Sequence, residues 1–344
     1  MNITRAMMQA AVREGLISSD QAEALWRFWA QRSPLVAQLD LTHVLYYLGG
    51  LVAMGAMTLF MTLGWERFGG LGIFFIALLY AAAGLWLAEF FLHRRGLPIP
   101  AGIMAAFVVA LTPLAVYGLQ QGLGLWQSDY AYRDYHRHVD WNWLAMEMAT
   151  LAAGALLLRR YRMPFLVLPV AVTLWYMSMD LTPLLSGDAD LDWELRRRVS
   201  LGFGLAMLGL AAWVDLKTLD GRDFAFWLYL FGVMTFWGGL SLLASDSELR
   251  RFAWLCVNLL LIGVGTVIVR RVFVVFGALG VTGYLGYLAY DVFEDSLLFP
   301  FVLTLIGLGV IWLGVLWHRH EAHLGNRLRA RLPAGLRELL EARR

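Results

Sequence analysis

Residues 159–180 read RRYRMPFLVLPVAVTLWYMSMD, and residues 270–291 read RRVFVVFGALGVTGYLGYLAYD. Each stretch opens on an arginine pair and closes on an aspartate, Asp180 or Asp291. A tyrosine stands four residues before each, Tyr176 and Tyr287, and the sequence between is apolar. From cation to carboxylate is about 20 residues, which at ~1.5 Å per helical residue matches the roughly 30 Å hydrocarbon core of a bilayer. Such segments are membrane spans, and their recurrence 111 residues apart predicts a repeated helical unit.

Composition supports this beyond the two stretches. The chain is 60% hydrophobic and 16% charged, whereas about a quarter of the residues in a soluble domain are charged. An ordinary soluble domain is excluded. The 34 glycines and 15 tryptophans suit close helix packing and anchoring at the membrane interface. Cys256 is the one cysteine, so neither an intramolecular disulfide nor a cysteine metal cluster can form.

Apolar runs bounded by charges or turn residues predict ten spans, at 42–64, 70–92, 99–123, 142–158, 163–181, 200–215, 224–244, 252–269, 272–292 and 297–317. The expected class is an all-α polytopic integral membrane protein. With ten spans both termini share one side, which carries 20 basic and 11 acidic residues, net +9; the other carries 8 and 15, net −7. The positive-inside bias makes the basic side cytoplasmic. Residues 1–40 contain no apolar leader core, so the first span is expected to serve as the insertion signal.

Three parts follow: a cytosolic helical segment at 1–40, a bundle at 41–318 and a basic amphipathic tail at 319–344. In the first, Gly15 separates two short helices, and Ser18 with Gln21 forms a capping box for a helix from Ser19 to Gln31. The arginine-rich tail reads as a helix lying on acidic lipid, not as a nucleic-acid binder. Within the bundle, the 111-residue shift also aligns Trp143 with Trp254, Glu147 with Asn258 and Gly154 with Gly265. Spans 2–5 and 6–9 thus become parallel four-helix repeats.

The segment Glu14 to Trp29 (EGLISSDQAEALWRFW), followed by the glycine-rich span YYLGGLVAMGAMTLFMTLGWERF, resembles a bacterial family of predicted membrane proteins, domain of unknown function 2157. The likeness covers roughly residues 10–90. It implies a bacterial inner-membrane protein and carries no established activity.

Ionisable groups at membrane depth are the first candidates for function, because each is costly there unless paired or hydrated. Glu147 lies inside the fourth span; Asp180 and Asp291 are expected to close the outer ends of the fifth and ninth. Pro169 removes a backbone hydrogen bond within the fifth span, and the shift matches it with Gly280. A polar cavity lined by Glu147, Pro169, Tyr176, Asp180, Asn258, Gly280, Tyr287 and Asp291 is the expectation. Asp40, His43, Glu89 and Asp215 suggest an inner gate. In the outer loop, His136 and His138 alternate among tyrosines and acids, which suits a divalent metal or a periplasmic protein partner. No cofactor is otherwise expected, and no nucleotide-binding or hydrolase motif is present. Three functions stay open: a transporter or permease for a small solute, a sensor or assembly subunit binding a periplasmic or membrane partner, and an enzyme acting on a lipid-linked substrate.

Overall fold

The computed structural model of the chain describes residues 11–32, 41–125, 141–186, 193–218, 222–241 and 247–288, with scattered positions between 301 and 312. Every regular element among them is helical. Helix α1 (Ser19–Arg32) starts on the expected capping box. The Gln21 amide donates to Ser18 Oγ at 3.2 Å, and the Ser18 amide donates to Gln21 Oε1 at 3.0 Å.

Helix α2 (Leu41–Glu89) takes in both of the first two expected spans and is interrupted at Gly69, whose φ of +62° favours glycine. A continuous helix of that length would run about 70 Å, more than twice a bilayer core. The chain instead doubles back: Ala53, before the break, packs into the same apolar cluster as Ile73 and Ala77 after it. A π-helical turn, Phe90–Arg94, then leads into α3 (Pro98–Gly122), which has proline in its first turn.

Helices α4 (Trp141–Tyr161), α5 (Val167–Ser186), α6 (Trp193–Lys217), α7 (Phe226–Ser241), α8 (Glu248–Val267) and α9 (Arg271–Tyr287) follow. Among the described residues, six segments are long and apolar enough to cross a membrane: Phe68–Arg94, Pro98–Gly122, Trp141–Tyr161, Pro164–Leu181, Glu194–Lys217 and Glu248–Val267. Shorter apolar helices, Val44–Ala53, Phe226–Ser241 and Arg271–Tyr287, stand where three more spans are expected. Most of the expected tenth span, and all of the tail at 319–344, lie outside the described residues.

Leu79, Trp86, Leu156 and Leu260 are exposed, giving an apolar exterior that lipid accommodates and water does not. Inside, glycine sets the closest approaches. A Cβ at Gly70 would lie 2.3 Å from the Gly122 nitrogen and 2.7 Å from the Gly118 oxygen, so α2 and α3 touch backbone to backbone.

The two arginine pairs do not occupy equivalent positions. Arg159 and Arg160 belong to the last turn of α4, ahead of a turn at Arg162 with φ of 46°. Arg270 and Arg271 follow the corresponding turn, at Val269 with φ of 56°. The turns are therefore 107 residues apart, four short of the sequence interval. Four residues are close to one helical turn, so the sequence match keeps the helix face but shifts depth by about 6 Å.

Candidate functional site

Helices α4 and α5 form an antiparallel hairpin around the 3-10 turn Pro164–Leu166. Glu147 lies six residues after the start of α4 and Asp180 six residues before the end of α5. Both are therefore about 9 Å inside the same end of the hairpin. Asp180 is not the helix terminator expected from the sequence, because α5 continues to Ser186. Glu147 is 8% exposed and Asp180 7%. Their carboxyls are close enough to interact electrostatically, yet neither Glu147 oxygen receives a hydrogen bond from the described residues.

Polar neighbours are buried here too, but their donors are used locally. Thr150 Oγ1 donates to the Met146 carbonyl at 2.7 Å, and Ser178 Oγ to the Trp175 carbonyl at 2.6 Å. From α3, Gln120 Nε2 donates to the Asn142 carbonyl at 3.1 Å, leaving Gln120 Oε1 without a partner among the described residues. That contact, with Gly154 backing onto Val109, sets a register that puts Tyr117 level with Glu147. Gln120, Thr150 and Ser178 are not among the residues expected from the sequence. Their signal was available, as polar residues within otherwise apolar helices.

The other expected cavity residues are placed differently. Pro169 stands in the first turn of α5, where its missing N–H would have had no helical partner, so it opens no helix. Tyr176 is 38% exposed and meets the Trp175 ring edge to face. Asn258 is fully buried in α8: Trp237 Nε1 donates to its Oδ1 at 2.9 Å, and its Nδ2 donates to the Trp254 carbonyl at 2.8 Å. Gly280 is the seat for that amide, since a Cβ there would fall 1.9 Å from Asn258 Oδ1. This second centre is satisfied and filled rather than open. Tyr287 donates to Glu248 Oε1 at 2.7 Å, beneath the Arg251 guanidinium. Asp291, His136 and His138 lie outside the described residues.

At the opposite, arginine-bearing end, the expected gate acids are engaged by arginines. Glu89 Oε1 accepts from Tyr161 OH at 2.8 Å and from Arg160 Nη2 at 3.1 Å. Arg270 is 7% exposed; its Nη2 donates to Asp215 Oδ1 at 2.7 Å, its Nη1 to Asp223 Oδ2, and its guanidinium lies over the Tyr229 ring. Burial works against its charge, but Asp223 and Asp215 outweigh that and hold its pKa above the ordinary arginine value. Arg270 thus ties α6, the following loop and α7 to the α8–α9 turn. The Asp40 and His43 side chains lie outside the described residues.

Among the described residues, no group of three His, Cys, Asp or Glu side chains converges as a metal site would. No protein-family model, no curated protein and no solved structure matches the chain.

Proposed function

We propose that the chain is a ten-span transporter of the bacterial inner membrane, with both termini cytoplasmic, that moves a small solute past the Glu147–Asp180 pair. Glu147 carries this reading: a carboxyl inside a span, nine-tenths buried, beside a second carboxyl and without a hydrogen-bond donor among the described residues. Such a group costs several kcal/mol at membrane depth unless something neutralises or hydrates it. A purely structural bundle is better served by the arrangement at Asn258, whose amide is satisfied on both sides. The orientation is supported by the +9 and −7 charge division. It is supported as well by the contacts that gather Arg160, Arg222 and Arg270 at one end of the bundle. The sensor and enzyme readings depend on the loop at 126–140, outside the described residues, so transport is the reading with a described centre behind it.

Water access separates a transporter from a solid scaffold. In a Cys256→Ser background, which removes the exposed native thiol, Glu147→Cys in membrane vesicles is modified by a small hydrophilic methanethiosulfonate. Leu156→Cys, on the exposed face of the same helix, resists it because a thiol in lipid does not ionise. If position 147 proves as inert as position 156, the transport reading fails.

A further inference from the structure

We propose that Glu147 and Asp180 hold one exchangeable proton between them, and that this proton is the coupling ion of the transport reading, on which the coupling role rests. Two carboxyls set equally deep in an antiparallel hairpin, close enough to interact, share a medium that penalises charge. Among the described residues, α4 packs chiefly against α3, the 3-10 turn and α5; the elements packed against α5 include α6 and α7 as well. Among the described residues, the titratable side chains around Glu147 are few. Helix α3 offers Tyr117 alone, the Pro164–Leu166 turn offers none, and α5 offers Tyr176 and Asp180. On α4 itself the basic residue nearest in sequence, Arg159, is twelve residues on, or about 18 Å along the axis.

The Asp180 side is richer in charge. Helix α7 offers only Tyr229, which lies under Arg270 at the opposite end. Helix α6 offers Glu194, Arg196, Arg197 and Arg198 in its first two turns, with Asp215 and Lys217 at its far end. Arg198 Nη2 is spent on Glu194 Oε1 at 2.5 Å. Helix α6 packs on α5, so its charges lie on the Asp180 side of the pair.

Gln120 Nε2, Thr150 Oγ1 and Ser178 Oγ each donate to a backbone carbonyl rather than to Glu147. Two ionised carboxylates would repel each other, whereas one proton shared by both removes the repulsion and gives the Glu147 carboxyl a hydrogen bond. A divalent metal fits less well, since the described residues offer no third carboxylate, histidine or thiolate to complete a ligand set. The proton is taken up or released as the centre opens to water, and no bond other than O–H forms or breaks.

The test is infrared difference spectroscopy on the full chain in lipid vesicles, titrated with pH at constant ionic strength in choline or sodium salt. The expected result is a protonated-carboxyl carbonyl band that disappears as pH rises, with the same titration in both salts. Glu147→Gln removes the band. Asp180→Asn weakens it about tenfold at neutral pH, because the new amide donates to the Glu147 carboxylate. If Glu147→Gln fails to fold, Asp180→Asn decides the matter, and a band that it leaves unchanged overturns the proposal. Absence of the band throughout the titration overturns the proposal, as does its displacement by sodium, which would make the pair a metal-cation site. A band in the wild type together with an inert thiol in Glu147→Cys would leave the proton site standing and remove the transport reading. No band together with a reactive thiol in Glu147→Cys would do the reverse.

Discussion

Arg270→Ala costs about 3–5 kcal/mol of stability, whereas Arg271→Ala, one residue away, changes it by less than about 0.5 kcal/mol. Both arginines are equally good topology signals in the sequence, so a difference between them isolates the contacts. Arg271 is exposed at the start of α9. Arg270 is buried with Asp215 and Asp223, and its removal leaves the Asp215 carboxylate, itself 6% exposed, inside the protein without that cation. The loss of an uncompensated partner is what makes broken buried ion pairs expensive. Thermal unfolding of the purified chain in detergent measures it, and Arg270→Ala should cost much less in an Asp215→Asn, Asp223→Asn background. Equal effects at positions 270 and 271 would return both residues to a purely topological role.

Gly70→Val separates α2 from α3 and costs about 3 kcal/mol or more, the upper range for overpacking. The reason is the kind of atom met. At Gly70 the added Cβ runs into the Gly122 and Gly118 backbone, which moves only if the whole helix moves. The contact is reciprocal, because a Cβ at Gly118 would lie 2.7 Å from the Phe74 nitrogen. Gly202→Ala is the control: nothing lies within 4 Å of its added Cβ, and alanine's better helix propensity should leave stability unchanged or raise it by up to about 1 kcal/mol. The same unfolding measurement reads both. A harmless Gly70→Val would mean that the α2–α3 approach is looser than the backbone contact implies.

The helical class and the positions of six candidate spans were legible because apolar length and bounding charge depend on local composition alone. The capping box at Ser18 and Gln21 was legible for the same reason. Depth along the helices was less so. The 111-residue match kept residues on one face while slipping a turn, and an apolar helix tolerates such a slip because leucine, valine and phenylalanine serve at many depths. Pro169 looked like a helix breaker until the 3-10 turn at Pro164–Leu166 placed it in a first turn. The sequence shift matches Gly280 with Pro169 as a cavity residue, but Gly280 makes room for Asn258, a partner 22 residues earlier across a turn.

The candidate site was half legible. Glu147 and Asp180 stood out as carboxyls in apolar surroundings, but no sequence period shows that two helices bring them together. Nor does any period show that Arg270 reaches Asp215 rather than solvent. Those facts depend on which helices are neighbours, and span sequences alone constrain that weakly, since lipid-facing and protein-facing positions are both apolar.

Proton flux in proteoliposomes containing the purified chain, with a small-molecule cell extract supplied outside as the solute and a trapped pH indicator following an imposed pH step, tests a functional carboxyl pair at membrane depth. Wild-type protein is expected to dissipate the gradient well above protein-free vesicles. Glu147→Gln, correctly folded and incorporated to the same level, should fall to the protein-free rate, while Asn258→Gln, at the satisfied second centre, should retain flux in whatever fraction of it folds. Wild-type flux unchanged by Glu147→Gln, or no wild-type flux at all, would contradict a functional carboxyl pair.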